Sequence, residues 1–199
     1  TSRAARPFLA ALEGRKIRRI VNTHHHEDHT GNNRAVAGRF GATIYAHPAS
    51  LPYLSDPRLN RLRLYQRIVW QRPEPCAAQP LGDSLDAGKF HFQVIPSPGH
   101  TDDHICLYEP ERKWLFTGDL FCGTSFIYLR RDEDFLVILD TLKKLALLDF
   151  DTIFCSLKGV VPDGKESLRR KIARMEELRD RVLALHREGL PVARIRDRV

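Results

Sequence analysis

The sequence predicts a single α/β layered domain spanning residues 1–199, and three observations carry that reading. Short apolar runs of strand type alternate with stretches of helical period. A composition of 42% hydrophobic and 29% charged residues supports one sizeable core but not two comfortable ones. The residues best suited to chemistry stand where strands end, as they do in layered α/β folds.

The elements follow in order. Residues 4–12 read as a short helix and 17–21, Ile-Arg-Arg-Ile-Val, as a strand running into Asn22-Thr23-His24. A helix is expected from about 29 to 39, then a buried strand over 42–46. Pro48 and Pro57 open two helical stretches, the second reaching about residue 71, because proline suits the first helical turn. Residues 72–80, rich in Pro and Ala, make a loop. Residues 89–95 alternate as a strand, and 104–108 and 112–116 form two more around the Glu109-Pro110-Glu111 turn. A helix over 132–148 starts on acidic residues that suit its positive end, and 151–155 reads as another strand.

Leu168, Ile172, Met175, Leu178, Val182 and Leu185 recur at helical steps on a last long helix ended by Gly189. Core packing and a dimer seam both fit that stripe. The net charge of +7 is concentrated there: residues 165–199 hold 11 Lys and Arg against 6 Asp and Glu. With no aromatics interleaved among these charges, this basic C-terminal segment reads as a solvated face rather than a nucleic-acid surface.

No run approaches the roughly 18 apolar residues that cross a bilayer, so no membrane association is expected. Cys76, Cys106, Cys122 and Cys155 show no paired spacing and read as free thiols of a cytoplasmic protein. Both ends read as cut, the first inside a helical pattern and the last at Arg196-Asp197-Arg198-Val199.

The chemistry concentrates in Thr23-His24-His25-His26-Glu27-Asp28-His29-Thr30-Gly31. At a strand end His24 and His26 project to one side, and after the turn Asp28 and His29 swing back toward a neighbouring position. Imidazoles with a carboxylate are ligands for Zn2+, or for Fe or Mn in similar sites. A solvent-exposed histidine loop or tag remnant would lack the Asp-His pair and the preceding strand. His25 and Glu27 fall between the ligand positions and are expected to point away. Two later strand ends carry Pro98-Gly99-His100-Thr101, a rigid turn presenting a histidine, and Thr117-Gly118-Asp119.

In this order the motifs resemble the metallo-β-lactamase superfamily, and within it the glyoxalase II-like and lactonase-like hydrolases. The resemblance covers about residues 15–160. It implies an αββα sandwich with metals between the ends of two sheets. It also implies that His24, His26 and His100 hold one ion, that Asp28 and His29 hold a second, and that Asp119 bridges both. His104 is either a supporting residue behind the ligands or an ordinary strand-end histidine.

Two departures stand out. The strands that open the family's fold, one ending in Asp-x-Gly, have no counterpart before Ala4, so part of one sheet is expected to be missing. The family's last ligand is a histidine, and Leu157 stands in its place within Cys155-Ser156-Leu157-Lys158-Gly159. One tightly bound ion and a weakened second site follow, unless Cys122 or Cys155 supplies a thiolate instead.

The implied activity is metal-dependent hydrolysis of a small-molecule ester, thioester, lactone or phosphoester. The metal lowers the pKa of water from ~15.7 toward ~7, and Asp28 accepts or shuttles a proton. Arg130 and Arg131 are either binders of an anionic substrate group or ordinary exposed arginines. An iron-dependent sulfur dioxygenase using His24, His100 and Asp119 is the alternative, and a non-catalytic binding module is a third. The basic charge also admits a nuclease, but no further nuclease motif is visible.

Overall fold

In the computed structural model, which describes residues 2–125, 130 and 133–199, two sheets form. The first holds β1 (Arg19–Val21), β2 (Thr43–Ala46) and β3 (Gln79–Pro80), all parallel, in the order β1-β2-β3. α3 (Asn33–Phe40) and α4 (Leu51–Ser55) pack with it around a small core of Ile44, Ala46 and Leu54, and the same half of the chain carries α1 (Ala5–Ala11), α2 (Glu27–Thr30) and α5 (Leu64–Val69).

The second sheet has the order β4-β5-β6-β7-β8-β9: β4 (Ser84–Ala87), β5 (Phe90–Pro96), β6 (Ile105–Glu109), β7 (Trp114–Gly118), β8 (Thr152–Cys155) and β9 (Gly159–Val161). Its neighbours are antiparallel except β7 and β8, which α6 (Phe135–Leu145) joins as a crossover. Alternation along the strands separates two faces. Tyr108, Leu115 and Ile153 pack with Ile138, Leu142 and Leu145 of α6 and Leu168 and Met175 of α7 (Gly164–Arg187), forming the main core. The opposite face carries a half-buried aromatic ladder in which Phe116 stacks on Phe154 at 4.5 Å. Lys143 of α6 pairs with Glu176 of α7 at 2.6 Å.

Several elements differ from the sequence expectation for local reasons. The helix over 29–39 is two pieces separated by Gly31 and Asn32. The stretch after Pro57 is a single 3-10 turn, then an extended segment, then α5. β4 is short and half polar and β9 is only three residues long, so neither announces itself, and each forms as one arm of a hairpin, β4 with β5 across the Gly88 turn and β9 with β8. The long helix from 132 begins at Phe135, capped by Asp134, whose carboxylate accepts from the Leu136 and Val137 N–H groups. Asp132 lies outside the described residues. The last helical stripe divides by depth: Leu168 and Met175 are buried and Leu178, Val182 and Leu185 are half-buried. The short helix α8 (Val192–Arg196) follows Gly189. Among the described residues, no helix is long and apolar enough to cross a membrane.

Candidate metal centre

The ends of β1, β5 and β7 converge, and their loops bring the motif residues together. Asn22 leaves β1 as one half of a buried reciprocal amide pair: Asn33 donates to its Oδ1 at 2.7 Å and its Nδ2 donates to Asn33 at 3.2 Å. That pair fixes the direction of Thr23-His24 against α3. The Ile105 N–H donates to the Thr23 carbonyl at 2.8 Å, tying this loop to β6 of the other sheet.

His24 and His26 are buried, with His24 Nε2 3.0 Å from His26 Nδ1. His100 Nε2 is also 3.0 Å from His26 Nδ1. The ligand atoms of these three residues lie within 4.8 Å of one another. A second group on the same criterion joins His24, His29 and Asp119, with His29 Nε2 3.3 Å from Asp119 Oδ2. His24 belongs to both groups. Asp28 lies outside them, its Oδ2 3.8 Å from His29 Nε2 on the cleft wall.

The turns that present these ligands are clamped. Gly99 has φ +124, its carbonyl accepts from Asp134 N–H at 2.9 Å, and the Thr141 hydroxyl donates to Pro98 O at 2.9 Å. Gly118 has φ +49, and a Cβ there would lie 2.7 Å from Thr23 Oγ1 and 2.8 Å from His104 Nε2. Only glycine lets the Asp119 turn approach the histidines this closely.

The donor set fits a divalent ion. Burial lowers the pKa of His26 to about 2 and that of His24 well below the usual range, so both stand neutral, as ligands must. In His24 and His100 an outward partner on Nδ1 turns Nε2 toward the centre: Thr23 Oγ1 lies 3.0 Å from His24 Nδ1, and Glu133 Oε1 lies 2.6 Å from His100 Nδ1. Burial works against ionisation of Asp119, but the His29 hydrogen bond and charge outweigh it and hold the carboxyl below its ordinary range. His29 is the mirror case, raised despite burial by Asp119 and then Asp28.

His25 turns away, 2.9 Å from Asp103 Oδ1 and stacked on Tyr53. Glu27 is fully buried, accepting from Gln66 Nε2 at 2.8 Å and Asn60 Nδ2 at 3.4 Å. His104 is buried behind His24, ring centroids 5.1 Å apart, with neither ring nitrogen hydrogen-bonded. The cysteines do not join either ligand group. Cys122 donates to Asp119 O at 3.2 Å, and burial pushes its thiol up to about 12. Cys155 accepts from Lys158 N–H at 3.4 Å.

The centre opens into a cleft of about 360 Å³ whose wall includes Trp70, Arg130, Glu133, Leu157 and Lys171. Leu157 is 65% exposed there, on the same cleft as Asp28, His29 and Asp119. Arg131 lies outside the described residues. Glu27 thus points away from the ligands, as expected, whereas Glu133, Trp70 and Lys171 on the cleft were missed and carried no local signal.

The family profile described as Metallo-beta-lactamase superfamily matches residues 1–156. The chain belongs to the metallo-β-lactamase superfamily. Relatives in this superfamily include a hydroxyacylglutathione hydrolase of Rhodospirillum rubrum, 34% identical over 94% of this chain and 68% of that protein. Another, from Thermosynechococcus vestitus, is 38% identical over 60% of this chain and 39% of its own length. The chain spans about half or less of the length of most such relatives it matches. Among solved structures, BLEG-1 B3 metallo-beta-lactamase superposes with a TM-score of 0.64 at 26% identity, over 83% of this chain and 80% of that one. A metallo-beta-lactamase family protein from Thermus thermophilus gives 0.72 at 22% identity, over 92% of this chain and 69% of that one.

The His100–Glu133 contact gives a first prediction for this metallo-β-lactamase fold. Glu133→Gln removes the carboxylate that orients the imidazole, and zinc affinity should fall by about 10- to 100-fold. Chelator competition measures this, and an affinity within twofold of the parent would refute the positioning role.

Proposed function

We propose that this chain is the catalytic core of a metal-dependent thioester hydrolase acting on hydroxyacyl-glutathione-type substrates. The observation that carries the proposal is the convergence of His24, His26 and His100 with His29 and Asp119 at the base of one cleft. The relatives named hydroxyacylglutathione hydrolase support the choice of thioester over the other acyl classes.

His24, His26, His100, His29 and Asp119 would hold a divalent ion, which would supply Lewis acidity toward an acyl oxygen and a bound water. The chain supplies the rest. Asp28, partly exposed on the cleft wall, is placed to accept a proton from the attacking water. The Asp119 carboxylate, kept ionised by His29, adds negative charge to the ligand set. Arg130 and the buried Lys171 bring positive charge to the same wall, where the carboxylates of a glutathione moiety would lie.

Leu157 cannot ligate, so dialysis should leave about one tightly held ion per chain, the unmatched site losing its own. Leu157 on the cleft wall is also compatible with a second reading, oxygenation of a sulfur substrate at a single iron. The test is thiol release from a hydroxyacyl-glutathione with zinc- and iron-loaded protein, alongside oxygen uptake with a persulfide. Zinc-supported thiol release abolished by a chelator is expected. Oxygen uptake without thiol release would replace hydrolysis by the second reading.

A further inference from the structure

The helix α5 is amphipathic in the inverted sense. Its buried residue is Gln66, hydrogen-bonded to Glu27, while Leu64, Tyr65, Ile68 and Val69 point to solvent. Leu64 is 72% exposed and Ile68 55%. At 3.6 residues per turn these four span an arc of about 140° and make one continuous face. Tyr65 meets Trp70 edge-on at 5.8 Å, and Trp70 with Leu157 lines the metal cleft, so the apolar surface runs from α5 to the cleft mouth.

The charge around this face has one sign. Residues 57–72 contain five arginines and no carboxylate. Arg58 is spent on Asp56, and Arg72 on the Pro57 and Asn60 carbonyls. Arg61, Arg63 and Arg67 are exposed, and none makes an ion pair among the described residues. A two-fold contact between copies would set this cationic rim against itself. The whole chain, at +7, is attracted in the same direction. Exposed aliphatic residues on a short helix, flanked by Tyr, Trp and unpaired Arg, fit the boundary between lipid headgroups and acyl chains.

We propose that the 57–72 segment docks the protein on anionic lipid surfaces, with α5 inserted at the headgroup level and the metal cleft opening beside the bilayer. The surface binds peripherally.

Co-sedimentation with vesicles of phosphatidylcholine alone, and of phosphatidylcholine with phosphatidylglycerol in equal parts, tests this. In a Trp114→Phe background Trp70 is the remaining tryptophan, and its emission should shift to the blue on binding. Binding is expected to the anionic vesicles only. Leu64→Ser with Ile68→Ser should weaken it more than tenfold, and Arg61→Gln and Arg67→Gln by about fivefold each. These side chains are exposed, so the variants should retain the parent's melting temperature and the comparison stays clean. No binding, equal binding to both vesicles, or binding untouched by the substitutions would overturn the proposal. So would a concentration-dependent dimer abolished by the serine pair, which would place a second copy on the face.

Discussion

His24→Ala should produce the largest loss of activity of any single substitution, at least about a thousandfold in kcat/KM, equivalent to about 4 kcal/mol of transition-state stabilisation. The reason is topological as well as chemical. His24 is the one residue shared by the His24, His26, His100 group and the His24, His29, Asp119 group. Losing His26 or His29 strips one group, whereas losing His24 strips both. The measurement pairs steady-state hydrolysis with metal content after dialysis. Because His24 is fully buried, His24→Gln should accompany it to preserve volume and polarity. Full metal content with a rate within tenfold of the parent would refute the assignment.

Gly99→Ala should be the most destabilising conservative change, by about 3 to 5 kcal/mol. Two penalties coincide. At φ +124 an alanine backbone is strained. The new Cβ would also lie 2.6 Å from Ile138 N and 2.7 Å from its Cγ1. Retreat is blocked because the Asp134 and Thr141 bonds hold the turn against the start of α6. Gly41→Ala is the matched control: φ is +66 but nothing lies within 4 Å of its Cβ position, so about 1 kcal/mol is expected. Urea denaturation reads both, and equal losses would show that the close approach to Ile138 carries no cost.

These cases show where sequence information is dense. The histidine motif was legible because strand period, turn residues and ligand types agree over nine consecutive positions. The helix that forms α6 was legible as an element, and the stripe on the first half of α7 was legible because period and depth coincide. β4 and β9 were not, since each depends on a partner strand rather than on its own residues. The Glu133–His100 contact joins positions 33 residues apart, and nothing near Glu133 advertises it. The exposed face of α5 was not legible either, because helical period alone does not say which side packs inward, and only the structure places Gln66 there.

Glu27 gives that inward glutamine a mechanical meaning. Its carboxyl group sits between two motif residues with no solvent exposure, and two of its hydrogen bonds come from Gln66 and Asn60. Lifting the 60–69 stretch away would strand that group without those partners, at a cost of about 2 to 3 kcal/mol. An open conformer would then hold on the order of one per cent of the population. The helix therefore behaves as a fixed support for Trp70 on the cleft wall rather than as a lid, and traffic must pass beside it. Amide exchange across 64–69 should be correspondingly slow for so short a surface helix, and should quicken on substitution of Glu27.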